Sequence, residues 1–344
     1  SAGDNPLTTI MGGSSYSVHS FHAAAKAAGG TAKMFRHSAA ASASGSTTVH
    51  DTLDPKKLNK AGRLVRESRD SDAHQDTVAV VIGLDGTGSM ANTPKVFVER
   101  LPGLMSTLVK EGWLKDPQIC FAQVCDHQDA NPLQLGQFES GNELDGALTN
   151  MLLLGGGAGP KESHEAYNLL LYMMGHHSEI DCFEKRGKKG YFFIIADERP
   201  YPTLTKQQIK DTFGIDAPQD YSFDELLAKA REKYSVHWIT PSGTFHWDDS
   251  FVVDYIREKF GENYHRLEDP AAICAFISGI IAVEEDYDLD DVSGKLKEVD
   301  SNASSVASAT RSLSVYAAKG TIAKQGKSSS SEELAESAKG ADRF

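Results

Sequence analysis

The sequence predicts an α/β fold: a doubly wound, mostly parallel sheet with helices on both faces and flexible arms at both termini. Three observations carry that expectation. Short apolar runs of strand length alternate with segments of helical period from residue 77 to residue 285. Two of the runs, 78–84 and 191–196, are apolar throughout, as strands covered on both faces are. Both end in an aspartate, Asp85 and Asp197, and open α/β sheets place their ligands outside the carboxyl ends of such strands.

Residues 1–50 are rich in Ser, Ala and Gly with little apolar periodicity, and are expected to be an arm that orders only against a partner; 17–28 is the piece able to become a helix. A charged lead-in, 51–76, carries Arg63, Arg66 and Arg69. Mixed charge of this kind is usually a solvated, salt-bridged segment and less often an anion site. The α/β domain is assigned to 77–285. After the first strand, Pro94 opens the helical pattern Phe97, Leu101, Leu104, Met105, Leu108. Residues 118–124 read as a second strand and 133–138 as a short third strand, close enough for a hairpin. The polar turn between them holds Asp126, His127 and Asp129, which could reach a site at the sheet end but are ordinary turn residues. A helix is expected over 142–154. The glycine-rich stretch 155–163 then leads into a helix carrying Ala166, Leu169, Leu170 and Met173. The basic run Lys185, Arg186, Lys188, Lys189 reads as a solvated loop before the strand at 191–196. Helices follow at 205–213, 223–233, 250–260 and 270–285, with strands at 234–239 and 263–267. Residues 286–344 form a second arm, acidic and then Ser/Ala-rich, with a helix expected at 332–339. Its acidic start lacks the glycine and glutamate of a calcium loop, since Asp291 and Lys297 occupy those positions.

Composition bounds the function. Over 344 residues the formal charge is −13, which repels nucleic acid. The four cysteines (Cys120, Cys125, Cys182, Cys274) fall in apolar segments, as buried thiols in a reducing compartment do. No apolar run approaches 18 residues, and His19, His22 and Lys26 interrupt the alanines near the start. A cytoplasmic protein with no membrane partner is expected.

The turn Asp85-Gly-Thr-Gly-Ser-Met90 admits three chemistries. As a phosphate loop it fails, because Ser89 stands where the lysine is due. As an aspartyl phosphatase turn it fails, because residue 83, where the nucleophile belongs, is glycine. As a metal site it succeeds: Asp85, Thr87 and Ser89 are hard oxygen donors suited to Mg²⁺ or Mn²⁺. The pattern Asp-x-Thr-x-Ser after a hydrophobic strand resembles the metal-ion-dependent adhesion site of the von Willebrand factor A family, whose usual form is Asp-x-Ser-x-Ser. The resemblance covers roughly 76–285 and is of the bacterial or phage type. It implies Asp85 as anchoring carboxylate, Thr87 and Ser89 as hydroxyl ligands, and Asp197 as second carboxylate. The family's glycine segment supplies a further ligand, usually Thr or Asp; here Ala158 stands there, leaving Glu162 or Ser163. One coordination position would stay open for a carboxylate from a partner protein. The function implied is non-catalytic, metal-dependent protein binding, as an adhesion or adaptor domain within a larger assembly of a bacterial or phage-infected cell. An AAA-type ATPase or further copies of the chain are the partners implied. No general base, nucleophile or oxyanion device accompanies the metal residues, so turnover is not expected. Two alternatives stand beside this: a structural subunit of a phage or bacterial particle that uses the arms for contacts, and a Mg²⁺-dependent hydrolase or phosphotransferase using Asp85 and Asp197.

Overall fold

The computed structural model describes residues 17–28, 30, 35–57, 59–60, 63–141, 143–153, 164–299 and 302–318. Its centre is a six-stranded sheet: β1 (Thr77–Asp85), β2 (Asp116–Val124), β3 (Leu133–Leu135), β4 (Gly190–Ile195), β5 (Tyr234–Pro241) and β6 (Tyr264–Leu267). The strand order is 6-5-4-1-2-3, parallel throughout except for β3, which returns antiparallel against β2. The order reverses between β1 and β4, because the chain builds outward from β1 first on one side and then on the other. That is the doubly wound, Rossmann-like arrangement, and in such sheets the reversal is where ligands characteristically bind.

The two-residue period of β1 divides its side chains between two layers. Val78, Val80, Ile82 and Leu84 face one layer of helices, among them α3 (Thr93–Lys110) and α9 (Ile273–Glu284). Ala79 and Val81 face the other, formed by α5 (Tyr167–His177), α7 (Phe223–Lys233) and α8 (Ser250–Phe260). Gly83 belongs to this second side: a Cβ there would collide with Leu170 of α5, so its glycine is a packing requirement. Helix starts at 206 and 223 are set by capping boxes, Thr205 with Gln208 before α6 (Lys206–Phe213) and Ser222 with Glu225 before α7. The four cysteines are buried free thiols. Among the described residues no helix is long and apolar enough to cross a membrane.

Several expectations need correcting. The described part of the N-terminal segment is no free arm. It forms α1 (Val18–Ala28) and α2 (Arg36–Ser44), which bury Phe21, Ala25, Phe35 and Ala41 in the same core as β1 and α3. At the other end, α10 (Leu289–Val299) and a helix over 303–318 bury Val292, Leu296, Val306, Ala309 and Leu313 in that core. Tyr316 donates a hydrogen bond to Glu284 (2.6 Å) and Ser305 one to Asp269 (2.8 Å), fixing the last helix to the domain. A few large side chains spaced along Ala/Ser-rich helices are enough to dock them. The helix expected at 332–339 lies outside the described residues.

Arg63 and Arg69 are the ion-paired residues expected, Arg63 with Glu179 and Arg69 with Glu179, Asp181 and Glu184. Arg66 departs from that pattern: it is buried and donates to the backbone carbonyls of Gly136 (2.7 Å) and Leu135 (3.2 Å). The basic run is likewise held by carboxylates, Lys185 and Arg186 by Asp70, and Lys188 by Glu285.

The packing of α1 gives a direct expectation. Phe21 is fully buried, so Phe21→Ala should cost about 3–5 kcal/mol of unfolding free energy, read by denaturant titration. A cost below about 0.5 kcal/mol, the scale of an exposed substitution, would mean that α1 does not dock as described.

Candidate metal centre

Asp85 ends β1, and Ala196 and Asp197 directly follow β4. Because Leu84 pairs with Ile195 in the parallel ladder, both aspartates emerge at the same end of the sheet, at the strand-order reversal. The turn after β1 folds tightly back on itself. The Thr87 amide and hydroxyl both donate to Asp85 Oδ1, at 2.8 and 2.6 Å. The Thr87 and Ser89 hydroxyls are 2.9 Å apart, and Ser89 Oγ donates to Asp197 Oδ1 at 2.8 Å. Gly86 permits this course, since a Cβ there would run into the Gln123 amide. A continuous chain of hard oxygen atoms thus joins Asp85 to Asp197 through two hydroxyls. Four of the six residues expected at the site from sequence are brought together. Glu162 and Ser163 lie outside the described residues, as does Ala158.

The chemistry around these four is more acidic than the sequence pattern indicated. Asp85, Asp197, Glu165, Asp126 and Glu198 are all buried at this end of the sheet. Among the described residues, no lysine or arginine is ion-paired to any of the five. Their partners are neutral or weakly basic. Tyr167 donates its hydroxyl to Asp85 Oδ2, and Tyr201 donates to Asp126 Oδ1 at 2.8 Å. The His246 amide donates to Asp197 Oδ2 at 3.1 Å, while its imidazole Nε2 lies 3.1 Å from Glu198 Oε1. Burial pushes the Asp85 carboxyl up to about 7, with Asp197 adding repulsion against the hydrogen bonds from Thr87 and Tyr167. Glu198 is pushed up to about 7 by burial first and then by Asp197 and Asp126, against a hydrogen bond from Ser89. Burial also raises Glu165, and Asp85, Glu198, Asp126 and Asp129 raise it further.

This donor set fits a hard divalent cation. Like charges buried together cost free energy that a cation among them removes, and carboxylates with hydroxyls are what Mg²⁺ and Mn²⁺ take. Among the described residues no three His, Cys, Asp or Glu side chains already close on one point. The shell on offer is therefore mixed: two carboxylates, two hydroxyls and water. Asp126 holds its turn, accepting from the Gln128 amide at 3.0 Å, and is buried as well. His127 is a structural contact of that turn, with Nε2 3.0 Å from the Asn168 side-chain oxygen. Glu165, Tyr167, Glu198 and His246 were not picked out from sequence. Glu165 offered one signal, a charged residue flush against the apolar run 166–174; Tyr167 and His246 offered none.

No family model matches the chain, and no curated protein sequence matches it. Among solved structures it is similar to the pilus adhesin SpaC from Lactobacillus rhamnosus GG in its open conformation, at 11% identity and a TM-score of 0.39, covering 68% of this chain and 31% of the adhesin. It is also similar to proximal thread matrix protein 1 from the mussel byssus, at 11% identity and a TM-score of 0.38, covering 61% of this chain and 46% of that one. The chain thus spans about a third of the adhesin and under half of the matrix protein. Such folds host many unrelated functions. The class defined here is a doubly wound α/β domain with an acidic, hydroxyl-bearing site at its strand-order reversal.

Proposed function

We propose that this chain is a non-catalytic, metal-dependent protein-binding domain of the von Willebrand factor A type, acting as an adaptor within a larger assembly. The observation that carries the reading is the unbroken run Asp85–Thr87–Ser89–Asp197 set among buried carboxylates that no lysine or arginine neutralises among the described residues. Asp85 and Asp197 would hold Mg²⁺ or Mn²⁺ with the Thr87 and Ser89 hydroxyls. When bound, the ion supplies a Lewis-acidic point of attachment for a partner's carboxylate. Two neutral hydroxyls leave the ion's charge only partly compensated, which favours that further anionic ligand. Tyr167 and the His246 amide keep the two aspartates oriented. The rim favours a protein over a small molecule. Phe245, 83% exposed, belongs to the loop whose backbone is bonded to Ser89, and Phe251, 65% exposed, lies against the Arg199 guanidinium two residues past Asp197.

The enzyme alternative, Mg²⁺-dependent phosphoryl transfer or hydrolysis, has no lysine at Ser89 to meet phosphates. ATP and GTP turnover should stay at background. Turnover that disappears in Asp85→Ala would favour the enzyme instead. The particle-subunit alternative rests on the arms, and in their described parts Phe21, Phe35, Val49, Val306 and Leu313 are buried on their own domain while Val315 is exposed.

The binding reading is tested by water proton relaxation with Mn²⁺ bound. Open coordination positions exchange water rapidly and enhance relaxation. A short glutamate-containing peptide should reduce that enhancement in a saturable way. Unchanged enhancement at millimolar peptide would mean that no position is open to a partner.

A further inference from the structure

Among the described residues, Glu165 Oε2 is a buried carboxylate oxygen with no hydrogen-bond partner, and the residue is only 1% exposed. Such an atom is costly to bury and calls for a physical reason. Its backbone is firmly placed. The two-residue strand His164–Glu165 pairs in parallel with Arg199–Pro200, with Glu165 opposite Pro200. The Tyr201 amide donates to the Glu165 carbonyl at 3.2 Å, and the Ala166 amide donates to the Cys125 carbonyl at 2.9 Å. Glu165 is thereby pinned between the segment that follows β2 and the segment that follows β4, the strands on either side of β1. The charges that act on it most strongly among the described residues, Asp85, Glu198, Asp126 and Asp129, are all anions. Packing explains a buried apolar residue here; it does not explain a carboxyl group with an oxygen left unbonded.

We propose that Glu165 is the third carboxylate of the cation site, accepting a hydrogen bond from a metal-bound water and taking the place of the donor that Ala158 lacks. The proposal rests on the metal-binding reading above and names a residue which that reading did not contain. A water-mediated role follows from two facts. No three acidic, histidine or cysteine side chains among the described residues close on one point, and Mg²⁺ characteristically keeps several of its waters. Carboxylates that hold a metal's ligands from outside typically set affinity by about 10–100-fold.

The test is Mn²⁺ calorimetry on the full chain, comparing wild type, Glu165→Gln, Glu165→Asp and Asp85→Asn, with melting measured in chelator for each. Glu165→Gln should keep the metal-free melting temperature and lose about 10–100-fold in Mn²⁺ affinity, with stoichiometry unchanged. Glu165→Asp, which keeps the charge, should bind more tightly than Glu165→Gln. The inference is overturned, with the metal site intact, if Glu165→Gln binds like wild type while Asp85→Asn does not bind. It is equally overturned if the Asp and Gln variants are weakened alike or both melt early, since Glu165 would then be a packing residue. Absence of Mn²⁺ binding by wild type would instead remove the metal-binding reading itself.

Discussion

Asp85→Asn is expected to abolish Mn²⁺ binding while leaving the metal-free protein at least as stable as wild type at pH 8. The two halves have one cause. Asp85 is fully buried, faces Asp197 across two hydroxyls, and pairs with no lysine or arginine among the described residues. Without a cation its charge carries a desolvation penalty and a repulsion, which asparagine removes. Asparagine can still accept from the Thr87 amide and hydroxyl, and its amide can donate to the Tyr167 oxygen in place of the bond Tyr167 now gives. What it cannot supply is the anionic ligand. Loss of a directly bound carboxylate should exceed the roughly hundredfold effect of an outer partner. Isothermal calorimetry and melting in chelator read both halves. A variant that melts many degrees below wild type in chelator would make Asp85 a structural anchor and not a charge held ready for a cation.

The second large effect is a pH dependence that depends on metal. In chelator, wild-type stability should fall as pH rises from about 4 to about 7, then level off. Folded Asp85 and Glu198 titrate near 7, above the ordinary carboxylate range that applies in the unfolded chain. Across that window the folded chain holds protons that the unfolded chain has released, so rising pH favours unfolding. Saturating Mg²⁺ should reverse the trend above pH 7, because a ligand that binds the folded state stabilises it in proportion to its occupancy. Melting curves at pH 5 and pH 8, with Mg²⁺ and with chelator, make the comparison. A metal-free protein more stable at pH 8 than at pH 5 would contradict the raised titration of these carboxyls.

Much of the fold was legible in the sequence because its signals were strong and local. β1 and β4 are runs with hardly a polar atom, and the structure places them within a residue or two of the expected positions. Helices α7 and α8 begin where Ser222 and Asp249 cap them and end at Lys233 and Phe260. The sequence also held the four atoms of the Asp85–Asp197 chain, since aspartates ending two buried strands meet wherever those strands are neighbours. What it concealed was tertiary. Helices α1 and 303–318 are Ala/Ser-rich, and Phe21, Val306, Leu313 and Tyr316 reveal their docking faces one large side chain at a time. Glu165 and His246 reach the site from the two-residue strand His164–Glu165 and from a loop far along the chain, a proximity no spacing rule encodes. Arg66 is concealed for the opposite reason: its charge resembles that of Arg63 and Arg69, and only the fold turns it inward to the carbonyls of Leu135 and Gly136.

The most direct measurement is an anomalous difference map at the manganese edge from crystals grown with Mn²⁺. The expected result is a peak at the carboxyl end of β1, within roughly 2.0–2.3 Å of oxygen atoms contributed by Asp85 and the Thr87 and Ser89 hydroxyls, with Asp197 beside it directly or through water. A map from Mn²⁺-saturated protein with no peak between Asp85 and Asp197, or with its peak elsewhere on the chain, would contradict the assignment of this sheet end as a cation site.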